Sequence, residues 1–91
     1  VNLGEVDSIV RELVLLKVRA NKETLKDIRN IVDVFRGKIV DIRPDIVVIE
    51  ITGSQGKIDA ICAMMAQFEI IEIARTGTIA ISRGPIPVKE M

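Results

Sequence analysis

The sequence predicts an α+β sandwich, with two helices on one face of a four-stranded antiparallel sheet, and three observations carry that expectation. Strand-like and helix-like periods alternate in the order β-α-β-β-α-β. The pattern returns after a shift of 33 residues. Ile, Val and Leu supply 16, 11 and 5 of the 91 residues, enough large aliphatics for one modest core.

Each element has its own signal. Residues 1–10 (VNLGEVDSIV) show no strong period and are expected to be a linker or capping segment. From Glu12 to Arg19 the residues alternate, with Val14, Leu16 and Val18 on one face of a first strand. Asn21 offers a side-chain cap, and Leu25, Ile28, Ile31, Val32 and Phe35 follow at helical spacing. Gly37 stands where a left-handed helix stop favours glycine. Lys38–Arg43 and Ile46–Thr52 read as strands joined by a tight turn at Pro44-Asp45. Ser54 caps a second helix whose apolar stripe is Ile58, Ile61, Cys62, Met65 and Phe68. Ile70–Thr76 is a fourth strand. Thr78–Ser82 either continues it past a bulge at Gly77 or forms an extra C-terminal strand. Two prolines make residues 85–91 an extended tail, so the folded domain is expected to span 11–84.

The repeat superposes Val14, Leu16 and Val18 on Val47, Ile49 and Ile51. It also sets Leu25, Ile28, Val32 and Phe35 on Ile58, Ile61, Met65 and Phe68. Two strand–helix–strand copies are too few for a solenoid and fit the split βαβ plan of a ferredoxin-like sandwich. Strand parity then divides the sheet. Val14, Leu16, Val18, Val40, Ile42, Val47, Ile49, Ile51, Ile71 and Ile73 are expected to face the helices. The opposite face gathers Leu13, Leu15, Ile39, Ile46, Val48 and Ile70, six aliphatics where water would favour polar groups. That patch is the expected oligomer interface, unless the first ten residues or the tail fold over it.

Chemistry is sparse. There is no His, so imidazole catalysis and His-ligated metal sites are excluded. Thirteen basic residues balance thirteen acidic ones, and the aromatics are two Phe, which argues against nucleic acid as a partner. No apolar run approaches a membrane span. The single Cys62 cannot form an internal disulfide and fits a reducing compartment; on the apolar stripe it reads as a small buried hydrophobe rather than a nucleophile. Gly53-Ser54-Gln55-Gly56-Lys57 lacks the spacing of a phosphate loop and reads as a capped strand-to-helix turn. A small acyl-phosphate hydrolase could use Arg19, yet no glycine-rich anion cradle surrounds it. Arg75 shares the parity of Ile71 and Ile73, and with Thr76 it is the candidate polar contact. Either Arg75 recognises a carboxylate or phosphate at an interface, or it reaches solvent along its stem. No catalytic, cofactor-binding or metal-binding residue is expected.

Certain segments also resemble a known family. Arg11-Glu12-Leu13 through Lys17-Val18, Val34-Phe35-Arg36-Gly37-Lys38-Ile39-Val40-Asp41, Ile49-Glu50-Ile51-Thr52-Gly53, Lys57-Ile58-Asp59-Ala60 and Glu72-Ile73-Ala74-Arg75-Thr76-Gly77 are similar to the C-terminal domain of the small regulatory subunit of acetolactate synthase (acetohydroxyacid synthase). The resemblance runs from about Arg11 to Gly84. It implies an ACT-like, non-catalytic domain and a homodimer or higher oligomer. Its partner would be a large subunit that uses thiamine diphosphate, Mg²⁺ and FAD. It further implies a role in activation and in branched-chain amino acid feedback, and a cytoplasmic location, or a plastid or mitochondrial one in a eukaryote. The chain opens with Val1, which suggests a piece of a longer polypeptide, and the resemblance implies that the family's small subunit carries an N-terminal ACT domain ahead of a domain like this one. The alternative is a stand-alone ACT-like sensor that binds an amino acid at its own dimer interface.

Overall fold

The computed structural model describes residues 8–85. The elements are β1 (Ser8–Arg19), α1 (Lys22–Val34), β2 (Lys38–Ile42), β3 (Ile46–Gly53), α2 (Gln55–Met65), a single 3₁₀ turn (Ala66–Phe68), β4 (Ile70–Arg75) and β5 (Ile79–Ser82). Strand order is β2-β3-β1-β4, all antiparallel, with β5 also paired to β1. This is the ferredoxin-like order, with the extra C-terminal strand present.

Local signals explain most boundaries. Asn21 Oδ1 accepts from the amides of Glu23 and Thr24, each at 2.9 Å, and the Asn21 amide donates to Thr24 Oγ1 at 2.9 Å. This reciprocal cap satisfies donors that the first helical turn leaves open. Ser54 Oγ does the same for α2 by accepting from the Lys57 amide at 3.3 Å. The Pro44-Asp45 turn closes with Arg43 N–H donating to the Ile46 carbonyl at 2.7 Å.

One strand face and both helices share a single core. Val14, Leu16 and Val18 of β1, Val47, Ile49 and Ile51 of β3, Ile28 and Val32 of α1, and Ile58, Ile61 and Met65 of α2 are all buried together. Both helices therefore lie on the same side of the sheet. The expected alternation on β1 and β3 is present residue for residue.

Four expected core residues are not buried. Val40, Ile42, Ile71 and Ile73 are 51, 47, 39 and 46% exposed. Val40 and Ile71 are extra residues in β-bulges, for β2 slips by one against β3 between Ile39 and Asp41, and β4 slips against β1 between Ile70 and Glu72. Ile42 and Ile73 sit opposite the core residues Val47 and Leu16, on the helix side but on the two edge strands, where coverage runs out.

Three further boundaries differ from expectation. β1 begins at Ser8, so the end of the presumed linker is strand, while residues 1–7 and the tail beyond Pro85 lie outside the described residues. The left-handed residue after α1 is Arg36, at φ +57°, not Gly37. Gly37 is needed for a different reason: a Cβ there would run into the Ile51 side chain. Gly77, at φ +77°, turns the chain between β4 and β5. Across that turn the chain advances four residues, Arg75 to Ile79, while β1 advances three, Val14 to Arg11. β5 is thus a separate strand that resumes the path of β4 along β1 after a bulge.

Candidate functional site

The two bulges decide which side chains reach the open sheet face. Leu13, Leu15, Ile46 and Val48 do. Leu15 is 38% exposed and the other three are half-buried, opposite Thr52, Glu50, Arg19 and Lys17. Ile39 and Ile70 do not. They are registered against Ile49 and Val18 and pack on the core from the helix side, so their expected place on the open face is corrected. Parity counting carries through a regular strand and fails after one inserted residue.

Ion pairs border the four remaining aliphatics. Lys17 Nζ meets Glu72 Oε1 at 2.7 Å, and that contact holds the Glu72 carboxyl below the usual carboxylate range. Arg19 contacts Glu69 Oε2 at 3.4 Å and Asp45 Oδ2 at 3.7 Å. These pairs are exposed and individually weak. Together they place charged groups beside the apolar strip. Arg19, engaged by two carboxylates, is not arranged to receive an anionic substrate.

Arg75 engages carboxylates, and those of its own domain, while a third of its side chain stays exposed. It points back into its own domain, its Nη2 and Nε donating to the two oxygens of Glu12 at 2.5 and 3.3 Å, and Nη2 also reaching Asp59 Oδ1 on α2 at 3.3 Å. Glu12 is 5% exposed, and among the described residues it is the buried charged side chain. The forked guanidinium contact lowers the Glu12 pKa and raises that of Arg75. Thr76 continues the clasp: its hydroxyl accepts from the Leu13 amide at 3.1 Å, and its own amide donates to the Leu13 carbonyl at 3.0 Å. The chemistry here is closure, tying the end of β4 to β1 and both to α2. Glu12 was missed by sequence reasoning, although a signal existed. Glu12 and Arg75 stand at core parity on neighbouring strands with opposite charge.

The remaining candidates are structural. Burial pushes the Cys62 thiol up, and its side chain packs against the core. The Lys57 stem lies against Gly53, closing the turn that superficially suggested a phosphate loop. Among the described residues no group of three His, Cys, Asp or Glu side chains could hold a metal ion, and no helix is long and apolar enough to cross a membrane.

Comparisons place this arrangement among known proteins. The family profile described as "Small subunit of acetolactate synthase" matches residues 11–84. The acetolactate synthase small subunit of Haemophilus influenzae is 44% identical over 85 residues, 92% of this chain and 52% of that protein. A probable acetolactate synthase small subunit from Methanothermobacter thermautotrophicus is 44% identical over 84 residues, 91% of this chain and 50% of that protein. The crystal structure of the acetolactate synthase small subunit from Thermotoga maritima superposes with a TM-score of 0.80 at 39% identity, covering 88% of this chain and 49% of that one. The chain thus spans about half the length of the curated relatives it matches.

Proposed function

The chain belongs to the family of acetolactate synthase small subunits, and on that premise we propose that residues 11–84 form a regulatory and assembly domain without catalysis of its own. It supports activation of the catalytic large subunit and the feedback control of that enzyme by branched-chain amino acids. On this reading the large subunit holds the thiamine diphosphate, Mg²⁺ and FAD of the reaction, and this chain holds none. The setting is cytoplasmic, or plastid or mitochondrial in a eukaryote. The observation that carries the reading is the family match across 11–84, which takes in both strand–helix–strand halves.

The site chemistry supports the same conclusion. The strongest polar cluster, Glu12–Arg75–Asp59, is satisfied internally. The open face offers Leu13, Leu15, Ile46 and Val48 to a second chain, with ion pairs at its border. Apolar contact supplies affinity there, and the charged border sets orientation.

Reconstitution tests this. Purified large subunit is assayed alone, with the whole small subunit, and with a small subunit lacking residues 8–84. The whole subunit is expected to raise turnover and confer valine inhibition, and the truncated form to lose the activation. Full activation by the truncated form would contradict the proposal. In parallel, calorimetry of the 91-residue chain with valine is expected to show negligible binding; tight binding would favour the stand-alone sensor.

A further inference from the structure

The 33-residue repeat makes Ile42 and Arg75 equivalent, and the strand register agrees. Ile42 lies opposite Val47 and Arg75 opposite Val14, the two equivalent core valines. Each stands on the helix side of an edge strand. In the second half Arg75 spans the space between β4 and α2 by reaching Asp59, while Glu12 holds it from β1. That groove is closed from within.

In the first half the same place is open. Ile42 carries no charge to reach α1, and the residue equivalent to Asp59 is Lys26, a cation. A cleft of about 620 Å³ follows Gly37 to Ile42 on one side and Arg29, Val32 and Asp33 of α1 on the other. A second, of about 370 Å³, continues past Ile42 to Lys22 and Leu25. The half-exposed Val40 and Ile42 give the groove an apolar floor. Lys22, Lys26 and Arg29 follow one another at intervals of four and three residues, which sets them along one edge of α1. All three are exposed, and among the described residues their side chains make no hydrogen bond or ion pair. The other charges at the groove are Asp33, at its far end, and Asp41 with Arg43, which pair with each other at 3.1 Å. The rim therefore has a basic surplus.

We propose that this groove binds a segment of another polypeptide that is both acidic and aliphatic. Its aliphatic side chains rest on Val40 and Ile42, and its carboxylates meet Lys22, Lys26 and Arg29. Charge selects the occupant. In the second half the helix supplies a carboxylate and the edge strand a cation. In the first half the helix supplies the cation, and the carboxylate has to come from outside. The Val40 bulge and Pro44 blunt β2 against a further paired strand, so side chains rather than backbone hold the segment. Leu13, Leu15, Ile46 and Val48 lie on the opposite face of the sheet. The inference thus goes beyond the regulatory reading and does not rest on it.

Titration of the isotope-labelled 91-residue chain with two capped peptides, followed through amide NMR shifts, tests the groove. The acidic probe alternates leucine with glutamate over about six residues, the length of an ordinary strand. The basic probe has lysine in place of each glutamate. The acidic probe is expected to give saturable shifts at Leu25, Arg29, Val40 and Ile42, with dissociation on the order of 100 μM for so small a contact. The basic probe should bind at least tenfold more weakly. Lys22→Glu combined with Arg29→Glu, both at exposed positions, should reverse that preference. Ile42→Arg combined with Lys26→Asp copies Arg75 and Asp59 into the first half, beside Asp45, the equivalent of Glu12. It is expected to close the groove and abolish binding of the acidic probe without lowering the thermal midpoint. Leu15→Lys should leave binding unchanged. Absence of binding at millimolar peptide, equal binding of the two probes, or shifts gathered at Leu13 and Leu15 would overturn the proposal. So would a preference indifferent to the double charge reversal. Shifts in the groove that depend on chain concentration without any probe would also overturn it, because they would mark a second copy as the occupant.

Discussion

The two strand–helix–strand halves use equivalent positions for equivalent tasks, and they differ in how firmly each is tied down. Asn21 and Ser54, 33 residues apart, cap α1 and α2. Arg36 and Glu69, also 33 apart, are the two described non-glycine residues with positive φ, at +57° and +75°. Leu16 and Ile49, again equivalent, face one another across β1 and β3 at the centre of the core, both fully buried. Yet α1 has a reciprocal cap with three contacts of 2.9 Å, while α2 has one of 3.3 Å. The second half is instead held by tertiary contacts, above all the Arg75 clasp. The first half is more locally encoded, and the second borrows its order from packing and from β1.

Mutations at equivalent positions sharpen that contrast. The largest effects fall at the shared centre. Leu16→Ala and Ile49→Ala are each expected to cost about 3 kcal/mol in denaturant unfolding, because both leave cavities in a fully buried layer. Being in contact, they should not add independently. A large difference between the two losses would break the equivalence of the halves. Gly37→Val comes next, at about 2 kcal/mol, since its side chain must displace Ile51; the equivalent position in the second half, Ile70, already carries a large residue packed on the core.

The clasp has no counterpart in the first half. The position equivalent to Glu12 is Asp45, whose contact with Arg19 is exposed and 3.7 Å long. Arg75→Met should therefore lower the melting temperature more than Arg19→Met. The acid dependence follows from the depressed Glu12 pKa. Its contribution is fully present above the ordinary carboxylate value of about 4.3 and is lost as pH falls through its own lower value. The gap between wild type and Arg75→Met should close over that range in melting curves taken at descending pH. A gap that persists below it would mean that Arg75 acts through its stem rather than its charge.

Smaller effects test the caps and the left-handed residues. Asn21→Ala is expected to cost about 1 kcal/mol and Ser54→Ala about 0.5 kcal/mol. Arg36→Gly and Glu69→Gly should each stabilise by about 0.5 kcal/mol, from relief of positive φ offset by added chain entropy.

Much of this was legible in the sequence, for identifiable reasons. Helix caps and the buried parity of β1 and β3 are local and periodic, so residues three, four or two apart reveal them. The bulges at Val40 and Ile71 are single insertions that nothing in the alternation marks, and each one moved a neighbour, Ile39 or Ile70, from the expected open face to the core. Ser8–Val10 looked aperiodic because their strand character comes from β5, some 70 residues later in the chain. Arg75 was rightly singled out as a guanidinium at core parity, but its partner lay 63 residues away.

The central claim is that the open sheet face serves association with the catalytic chain. Activation of the large subunit by a whole small subunit carrying Leu15→Lys tests it most directly, with circular dichroism confirming the fold. The account predicts a folded small subunit whose half-maximal activating concentration rises at least tenfold. Activation at the wild-type concentration would contradict it.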